Sequence, residues 1–239
     1  MLEKRKMANY IRGLVAPMGF LVVFVLLIAC EKNDYINEGG LHDPHVNMTT
    51  YDFLNSHPKF DSLVRIIDKA GLKDLVNSDI TFFATTNEGV ADYVSAKKQK
   101  RIIEVGDENI SFSIDDLNAD TLRDSLKMYM FTGAVVREQL TTDGAYYESL
   151  FGPLTDMKIL LGLRRTRDYS DYVDYVDYLY YTKVVGTRDS DESNQSAIPE
   201  RLRDTRVDVQ TSGIITTTGV VHVLDGYHRL FFNEEATAN

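Results

Sequence analysis

A ten-residue stretch near the first third of the chain decides the fold. Residues Thr81–Val90 read TFFATTNEGV. Phe82 and Ala84 fall on one side of an extended segment and Thr81 and Phe83 on the other, which predicts a strand over 80–84. Asn87 favours the start of a helix, because its side chain can accept hydrogen bonds from the first helical amides. We therefore expect a strand that passes directly into a helix.

A second stretch lies close to the other end. Residues Gly219–Asp225 read GVVHVLD and predict a strand over 220–224 that ends in a turn at Asp225-Gly226. His222 is placed among three valines. A lone histidine in such a strand is typical of a hydrogen-bonded core residue, and no nucleophile or second base accompanies it.

In the rest of the domain the predicted elements are unevenly distributed. Hydroxyl and acidic residues at Thr49 and Asp52 predict a helix start, and apolar residues at helical spacing follow up to Gly71. Another helix is predicted at Thr121–Lys127, capped by Asp120. Strands are predicted mainly in the second half, over 146–151, 157–163, 178–185 and 207–215. Helices first and strands later indicate the α+β class.

The two stretches, in this order, resemble the two signatures of fasciclin-type domains, usually written TVFAPTNEAF and GVIHVID. Leu126–Gly133 is similar to the family's LLxYHVVPG element. The resemblance covers residues 49–232 and implies a single fasciclin-like domain, with helices packed on a mixed or antiparallel β-wedge. It departs at Thr85, Gly89-Val90 and Thr218, and Met130 stands where the family has His. The motif residues expected to be structural are Thr81, Phe83, Asn87, Glu88, Gly219, His222 and Asp225.

The amino terminus carries a targeting pattern. Four basic residues precede an apolar run, Phe20–Ile28, which ends at Ala29-Cys30. The run is too short for an unbroken membrane span, so a signal peptide over 1–29 is favoured over a transmembrane anchor. Leu27-Ile-Ala-Cys30 resembles the lipobox of bacterial lipoproteins. That resemblance implies cleavage before Cys30 and attachment of acyl chains such as palmitate, which would anchor the protein stably in a membrane.

Composition narrows the function classes. The chain has 239 residues, 26 basic and 36 acidic side chains, one Cys and no Trp. A single cysteine excludes an internal disulfide, and its lipidation would exclude cysteine catalysis. A net charge of -10 argues against nucleic-acid binding. No dinucleotide fingerprint or P-loop is present, and we predict no cofactor and no metal site. Residues 30–48 are interpreted as a flexible tether and 233–239 as a disordered tail.

An unusual segment interrupts the domain around 164–206. From Asp168 an Asp recurs at every third position, with a Tyr one step later. Period three matches neither strand nor α-helix. Tyrosines on an exposed ribbon would offer stacking faces and hydroxyls to a protein or glycan ligand. An acidic hairpin with locally packed tyrosines and a calcium loop are the alternatives. The candidate binding residues are Tyr169, Tyr172, Tyr175, Tyr178 and Tyr180.

These observations favour a non-enzymatic lipoprotein of the bacterial cell envelope, anchored in the outer membrane. Exposure on the cell surface and orientation toward the periplasm are both compatible with the sequence. Members of the fasciclin family mostly serve adhesion, so the resemblance implies binding of a protein or glycan partner. An accessory subunit of an outer-membrane complex is the main alternative. A hydrolase using His222 and Asp225 is the least favoured, because no serine nucleophile accompanies them.

Overall fold

The computed structural model describes residues 43–153 and 157–233. The predicted signal peptide, Cys30 and residues 30–42 of the predicted tether lie outside the described residues, as do 234–239 of the predicted tail. Within the described part, no helix combines the length and the apolar composition needed to cross a bilayer.

Five α-helices in the described residues all precede the long strands. They are α1 (Thr50–Asn55), α2 (Asp61–Ala70), α3 (Lys73–Val76), α4 (Asn87–Val105) and α5 (Ala119–Leu126). The side chain of Thr49 accepts a hydrogen bond from the Asp52 amide at the start of α1, as predicted. Gly71 ends α2 in the left-handed conformation with φ 66°, which a residue without Cβ adopts at little cost.

Seven strands form one sheet in the described residues. They are β1 (Ile80–Ala84), β2 (Met130–Thr132), β3 (Ala145–Tyr147), β4 (Met157–Thr166), β5 (Val176–Val185), β6 (Thr205–Ile215) and β7 (Gly219–Leu224). Their order is β2-β1-β7-β6-β5-β4-β3. The β1–β7 pair is parallel and every other pair is antiparallel. The prediction of an α+β fold with early helices and a mixed sheet is confirmed.

The parallel pair joins the two sequence motifs. Phe83 lies opposite His222, and Ile80 lies opposite Gly219. All five residues of β1 are buried, and β1 is paired on both edges, with β2 and with β7. A Cβ at Gly219 would overlap the carbonyl oxygen of Ile80. Glycine at this position therefore allows β7 to approach β1 closely.

Three predicted boundaries differ from the structure. Residues 44–48, predicted to be tether, lie beside the end of β6, where Val46 donates its N–H to the carbonyl of Ile215. The cap of α5 is Asn118, which accepts from the Thr121 amide, instead of Asp120. The strand predicted over 146–151 covers only Ala145–Tyr147. The predicted insertion contains β5, which is fully integrated into the sheet between β4 and β6.

Asn87 also differs from its predicted role. The side chain does not cap its own helix, whose N-cap is Thr86. Its Oδ1 accepts from the Ser62 amide at 2.8 Å, and its Nδ2 donates to the Pro58 carbonyl at 2.7 Å. Asn87 therefore satisfies an amide in the first turn of α2, and it links the β1–α4 junction to that helix.

Gly89 gives a direct test of how α4 packs. A Cβ at this position would overlap the carbonyl oxygen of His228, which lies in the segment after β7. Glycine to alanine inside a helix normally stabilises by about 1 kcal/mol. Here we expect Gly89→Ala to lower the free energy of unfolding by about 1–3 kcal/mol, because a backbone carbonyl must move. Urea denaturation measures the change.

Gly226→Ala is the matched control. Its added Cβ would meet only Thr86 Oγ1, at 3.8 Å, so we expect little change in stability. A Gly89→Ala variant as stable as the parent would show that α4 does not approach the segment after β7 this closely.

Candidate functional site

Three of the exposed tyrosines among the described residues are concentrated at the turn between β4 and β5. Residues 167–175 connect the two strands. Tyr172 is 88% exposed, Tyr169 51% and Tyr175 47%, and Val173 is 48% exposed. We call these four residues the aromatic tip. Large side chains this exposed leave apolar surface in water, which is typical of a contact surface when they are grouped together.

The hairpin that carries the aromatic tip is long and regularly paired. All ten residues of β4 pair with all ten of β5, from Met157 opposite Val185 to Thr166 opposite Val176. The inner face is held in the main core by Leu161 and Tyr181, both 0% exposed. The hydroxyl of Tyr181 donates to the Met128 carbonyl at 2.9 Å. The tip therefore projects from a rigid support.

Arg165 holds the side chains of Asp177 and Tyr175 at one side of the aromatic tip. Its Nε and Nη2 donate to the two carboxylate oxygens of Asp177 at 2.8 and 2.9 Å. The guanidinium lies 3.6 Å from the centre of the Tyr175 ring. Hydrogen bonding from Arg165 lowers the pKa of Asp177. A bidentate pair of this kind fixes both side chains in one orientation, so one face of Tyr175 is held by Arg165 and the other remains available.

The last two candidate tyrosines are not part of the open tip. Tyr178 is half-buried, with the Arg164 guanidinium 5.2 Å from its ring centre. A hydrogen bond with Tyr169 is the main cause that raises the pKa of the Tyr178 hydroxyl. Tyr180 is 7% exposed and packs with Leu160 and Val184 in a small outer cluster.

Two glycines explain the burial of Tyr180. A Cβ at Gly162 or Gly144 would collide with the phenol group of Tyr180. The ring therefore lies against backbone where any other residue would displace it. The expectation of an exposed ribbon is correct for Tyr169, Tyr172 and Tyr175 and wrong for Tyr180, because the strand pairing of β5 turns that ring onto the sheet.

The carboxylates of the segment do not converge. Asp177 is committed to Arg165, and the described residues contain no group of three His, Cys, Asp or Glu side chains placed to hold a metal ion. The motif residues are mainly structural. Thr81 Oγ1 donates to the Gly133 carbonyl and accepts from the Val135 amide. The ring of Phe83 packs against Phe131, Tyr181 and His222.

Two further motif residues lie where regular elements begin or end, at the start of α4 and in the turn after β7. Glu88 lies in the first turn of α4, where the positive end of the helix dipole favours an acidic side chain. Asp225 accepts from the Tyr227 amide at 2.8 Å in the turn after β7. The Asp225 contact is local and holds the backbone geometry of the turn.

His222 is a hydrogen-bonded core residue, as predicted. It is 0% exposed. Nδ1 accepts from the Gly213 amide at 3.1 Å, so the proton is on Nε2, which donates to the Val135 carbonyl at 2.8 Å. Burial lowers its pKa to about 4. Both nitrogens are committed and sealed from solvent, so this imidazole cannot exchange a proton with a substrate in solution.

A second buried histidine was missed by the sequence reasoning. His228 Nε2 lies 2.8 Å from the Tyr129 hydroxyl, which also accepts from the Phe231 amide at 2.8 Å. The hydroxyl therefore links the His228 ring to the Phe231 amide. Burial lowers the pKa of His228 to about 3 and raises that of Tyr129. Met130 occupies the position at which the family has His, and the partner of Tyr129 is instead a histidine 99 residues along the chain.

Comparisons with known proteins show similarity at the level of structure and not at the level of sequence families. No protein-family model matches the chain, and no curated protein matches it. Among solved structures, the chain is similar to a FAS1 domain pair from the insect cell adhesion molecule fasciclin I, with a TM-score of 0.43 and 13% identity. The match covers 74% of this chain and 49% of that one. The chain thus spans about half the length of that solved pair.

The two buried histidines predict a specific pH dependence. Their folded-state pKa values lie below the unfolded value of 6.5. Protons therefore bind preferentially to the unfolded chain, and stability that is complete above pH 6.5 is lost as the pH falls toward about 4. For each histidine, the free energy of unfolding should be about 2 kcal/mol lower at pH 5 than at pH 8. Urea unfolding at the two pH values measures the loss.

A variant that keeps only one of the two imidazoles provides the control. His228→Asn should show about half the pH-dependent loss of the parent, whatever its absolute stability. Equal urea midpoints at pH 8 and pH 5 in the parent would contradict the burial of both imidazoles in their neutral form.

Proposed function

We propose that this protein is a non-enzymatic, fasciclin-like binding module of the bacterial cell envelope. It is anchored by a lipid on Cys30 and binds a protein or glycan partner through the aromatic tip. One observation carries the proposal: three tyrosines and a valine stand exposed at the end of a ten-residue-paired hairpin. The two sequence signatures of fasciclin-type domains and the α+β fold support the family part of the proposal.

The chemistry of the aromatic tip suits recognition. Tyrosine presents a flat apolar ring and a polar hydroxyl, and it loses little conformational entropy on binding because it has two side-chain torsions. Arg165 holds Tyr175 in place before a partner arrives, which lowers the ordering cost further. The tip also carries Asp168, Asp171 and Asp174, all exposed, which can accept hydrogen bonds from a partner's donors.

The histidines give support for a non-enzymatic role. His222 and His228 are the two most suitable acid–base groups in the sheet region, and both are buried and neutral with their hydrogen bonds directed at the protein itself. Such groups act as parts of the core. We therefore assign the function to surface contacts and not to a reaction centre.

Tyr172 should be the dominant contact of the aromatic tip. Truncation of a central aromatic contact typically costs about 2 kcal/mol, or roughly thirtyfold in affinity. We expect Tyr172→Ala to weaken retention of the partner recovered from an envelope extract, or of the glycan bound on an array, by that factor. Affinity is measured by titration of the identified ligand against both proteins.

Tyr146 supplies the matched control for this experiment. It is 49% exposed on β3, away from the turn between β4 and β5. Tyr146→Ala should bind as the parent does. Equal binding by the parent and Tyr172→Ala, or the recovery of no ligand by either route, would remove the basis for the proposed function.

The anchor is tested separately. Cys30→Ala should leave the precursor uncut and shift the protein from the membrane fraction to the soluble fraction, because the acyl chains provide the stable attachment. Fractionation with detection of precursor and mature forms measures both effects. Asn33→Ala, three residues away, should be processed and retained normally. Normal processing of Cys30→Ala would exclude the lipoprotein part of the proposal.

A further inference from the structure

A cavity of about 530 Å³ lies where β6 extends past the end of β7. Its walls come from the first residues of β6, from Asp92 on α4, and from residues 225–232, which we call the closing segment. The aromatic tip is not part of it. The volume is within the range of roughly 300–1,000 Å³ that is usual for small-ligand sites.

The cavity exists because one edge of β6 is left without a strand partner. Residues 205–208 pair with β5 on one side, but β7 ends at Leu224 opposite Val209. The closing segment turns at this point, and the Asp225 amide donates to the Asp208 carbonyl at 2.9 Å. The edge therefore faces a turn and a short helical segment instead of another strand.

The closing segment is held in a strained conformation. Phe231 and Phe232 have φ values of 62° and 53°, which cost of order 1 kcal/mol or more for bulky residues. The Phe231 amide is satisfied by the Tyr129 hydroxyl, and Phe232 lies on the cavity wall. Strain of this kind is retained where the surrounding structure enforces a particular shape.

The cavity wall carries basic and acidic side chains, and some of them form no ion pair with a described residue. Arg229 is half-buried, and its side chain has no hydrogen bond or ion pair to a described residue; the same is true of the exposed Asp92. Arg206 Nε lies 3.8 Å from Asp208 Oδ1, which is beyond hydrogen-bond distance. Asp208 is already paired with Arg164 at 2.8 Å, and Asp225 accepts from the Tyr227 amide. Arg229 and Asp92 are therefore the charged residues of the cavity lining whose side chains have no partner among the described residues.

These groups select the chemistry of a ligand. A purely anionic ligand would meet the unpaired carboxylate of Asp92, and a purely cationic ligand would meet the unpaired guanidinium of Arg229. Hydroxyl groups both donate and accept hydrogen bonds, so a polyhydroxylated ligand can satisfy both sets. Tyr227, which borders the cavity and is 95% exposed, offers a flat ring against which the C–H face of a sugar ring can pack.

We propose that this cavity binds a single sugar residue, held by Arg229 and Asp92 and covered on one face by Tyr227. The site is separate from the aromatic tip, and it stands whether or not the tip binds a partner.

The chain contains no Trp, so Tyr227→Trp introduces the only tryptophan and places it at the cavity. Methyl glycosides of glucose, galactose, mannose and N-acetylglucosamine are titrated separately, and tryptophan emission is recorded. At least one should give a saturable change with millimolar affinity. Saturation-transfer NMR on the parent chain should detect the same glycoside without the introduced tryptophan.

Two variants test the contacts. Arg229→Gln and Asp92→Asn, each combined with Tyr227→Trp, should weaken binding about tenfold or more, because each removes a charged hydrogen-bond partner. Thermal melting verifies that both remain folded. A Tyr172→Trp variant reports on the aromatic tip and should not respond to the glycoside that the cavity binds.

Three outcomes would overturn the proposal. They are the absence of a saturable response to every glycoside, a response that is unchanged in both contact variants, and a response to a zwitterion such as glycine betaine but to no glycoside. A response from Tyr172→Trp alone would place sugar binding at the aromatic tip, which would support the proposed function and reject the cavity.

Discussion

The parallel pairing of β1 with β7 is the contact on which the remaining structure depends. It connects residues about 140 positions apart, and it places Phe83 beside His222 with their ring centres 4.8 Å apart. Closing a loop of this length costs conformational entropy that local contacts do not repay. This entropy is offset by the burial of all of β1 and by the close approach that Gly219 allows. The helices precede the long strands in the chain. The hairpin of β4 and β5 extends the sheet beyond β6.

A network of aromatic and imidazole rings extends that contact across the core. Tyr129 stacks on Tyr181 with ring centres 5.6 Å apart, and its hydroxyl joins His228 to the Phe231 amide. The hydroxyl of Tyr129 thus holds the strained closing segment, and its ring packs on Tyr181 of β5. Buried polar groups are costly when unpaired, so this arrangement specifies one conformation of the closing segment. The closing segment in this conformation forms one wall of the cavity, and Tyr181, on which Tyr129 stacks, belongs to the hairpin that carries the aromatic tip.

Much of the scaffold was predictable from local patterns. Alternation fixed β1 at residues 80–84, and helical spacing followed by glycine fixed the end of α2. The roles of Asn87 and Tyr180 were not predictable, because each depends on a distant partner: the Pro58–Ser62 turn for Asn87, and Gly144 and Gly162 for Tyr180. Period-three spacing correctly marked the tip tyrosines as unusual. It contained no information on β5 pairing, which decides which of those rings are buried.

The cavity could not have been derived from the sequence at all. Its charged walls come from α4, β6 and the closing segment, and no spacing rule connects Asp92 with Arg229. Gly89 offered a signal in retrospect, since a glycine inside a helix often marks a close backbone approach. His228 had no such signal, because a single histidine after a turn is most often a surface residue.

The central claim is that the aromatic tip is the surface through which this protein meets its partner. Site-specific photocrosslinking in cells tests it most directly, with a photoreactive phenylalanine analogue placed at Tyr172 in one strain and at Tyr146 in another. If the aromatic tip contacts the partner, position 172 gives a discrete crosslinked species and position 146 gives none. Crosslinks of equal yield and pattern from both positions, or none from 172, would contradict it.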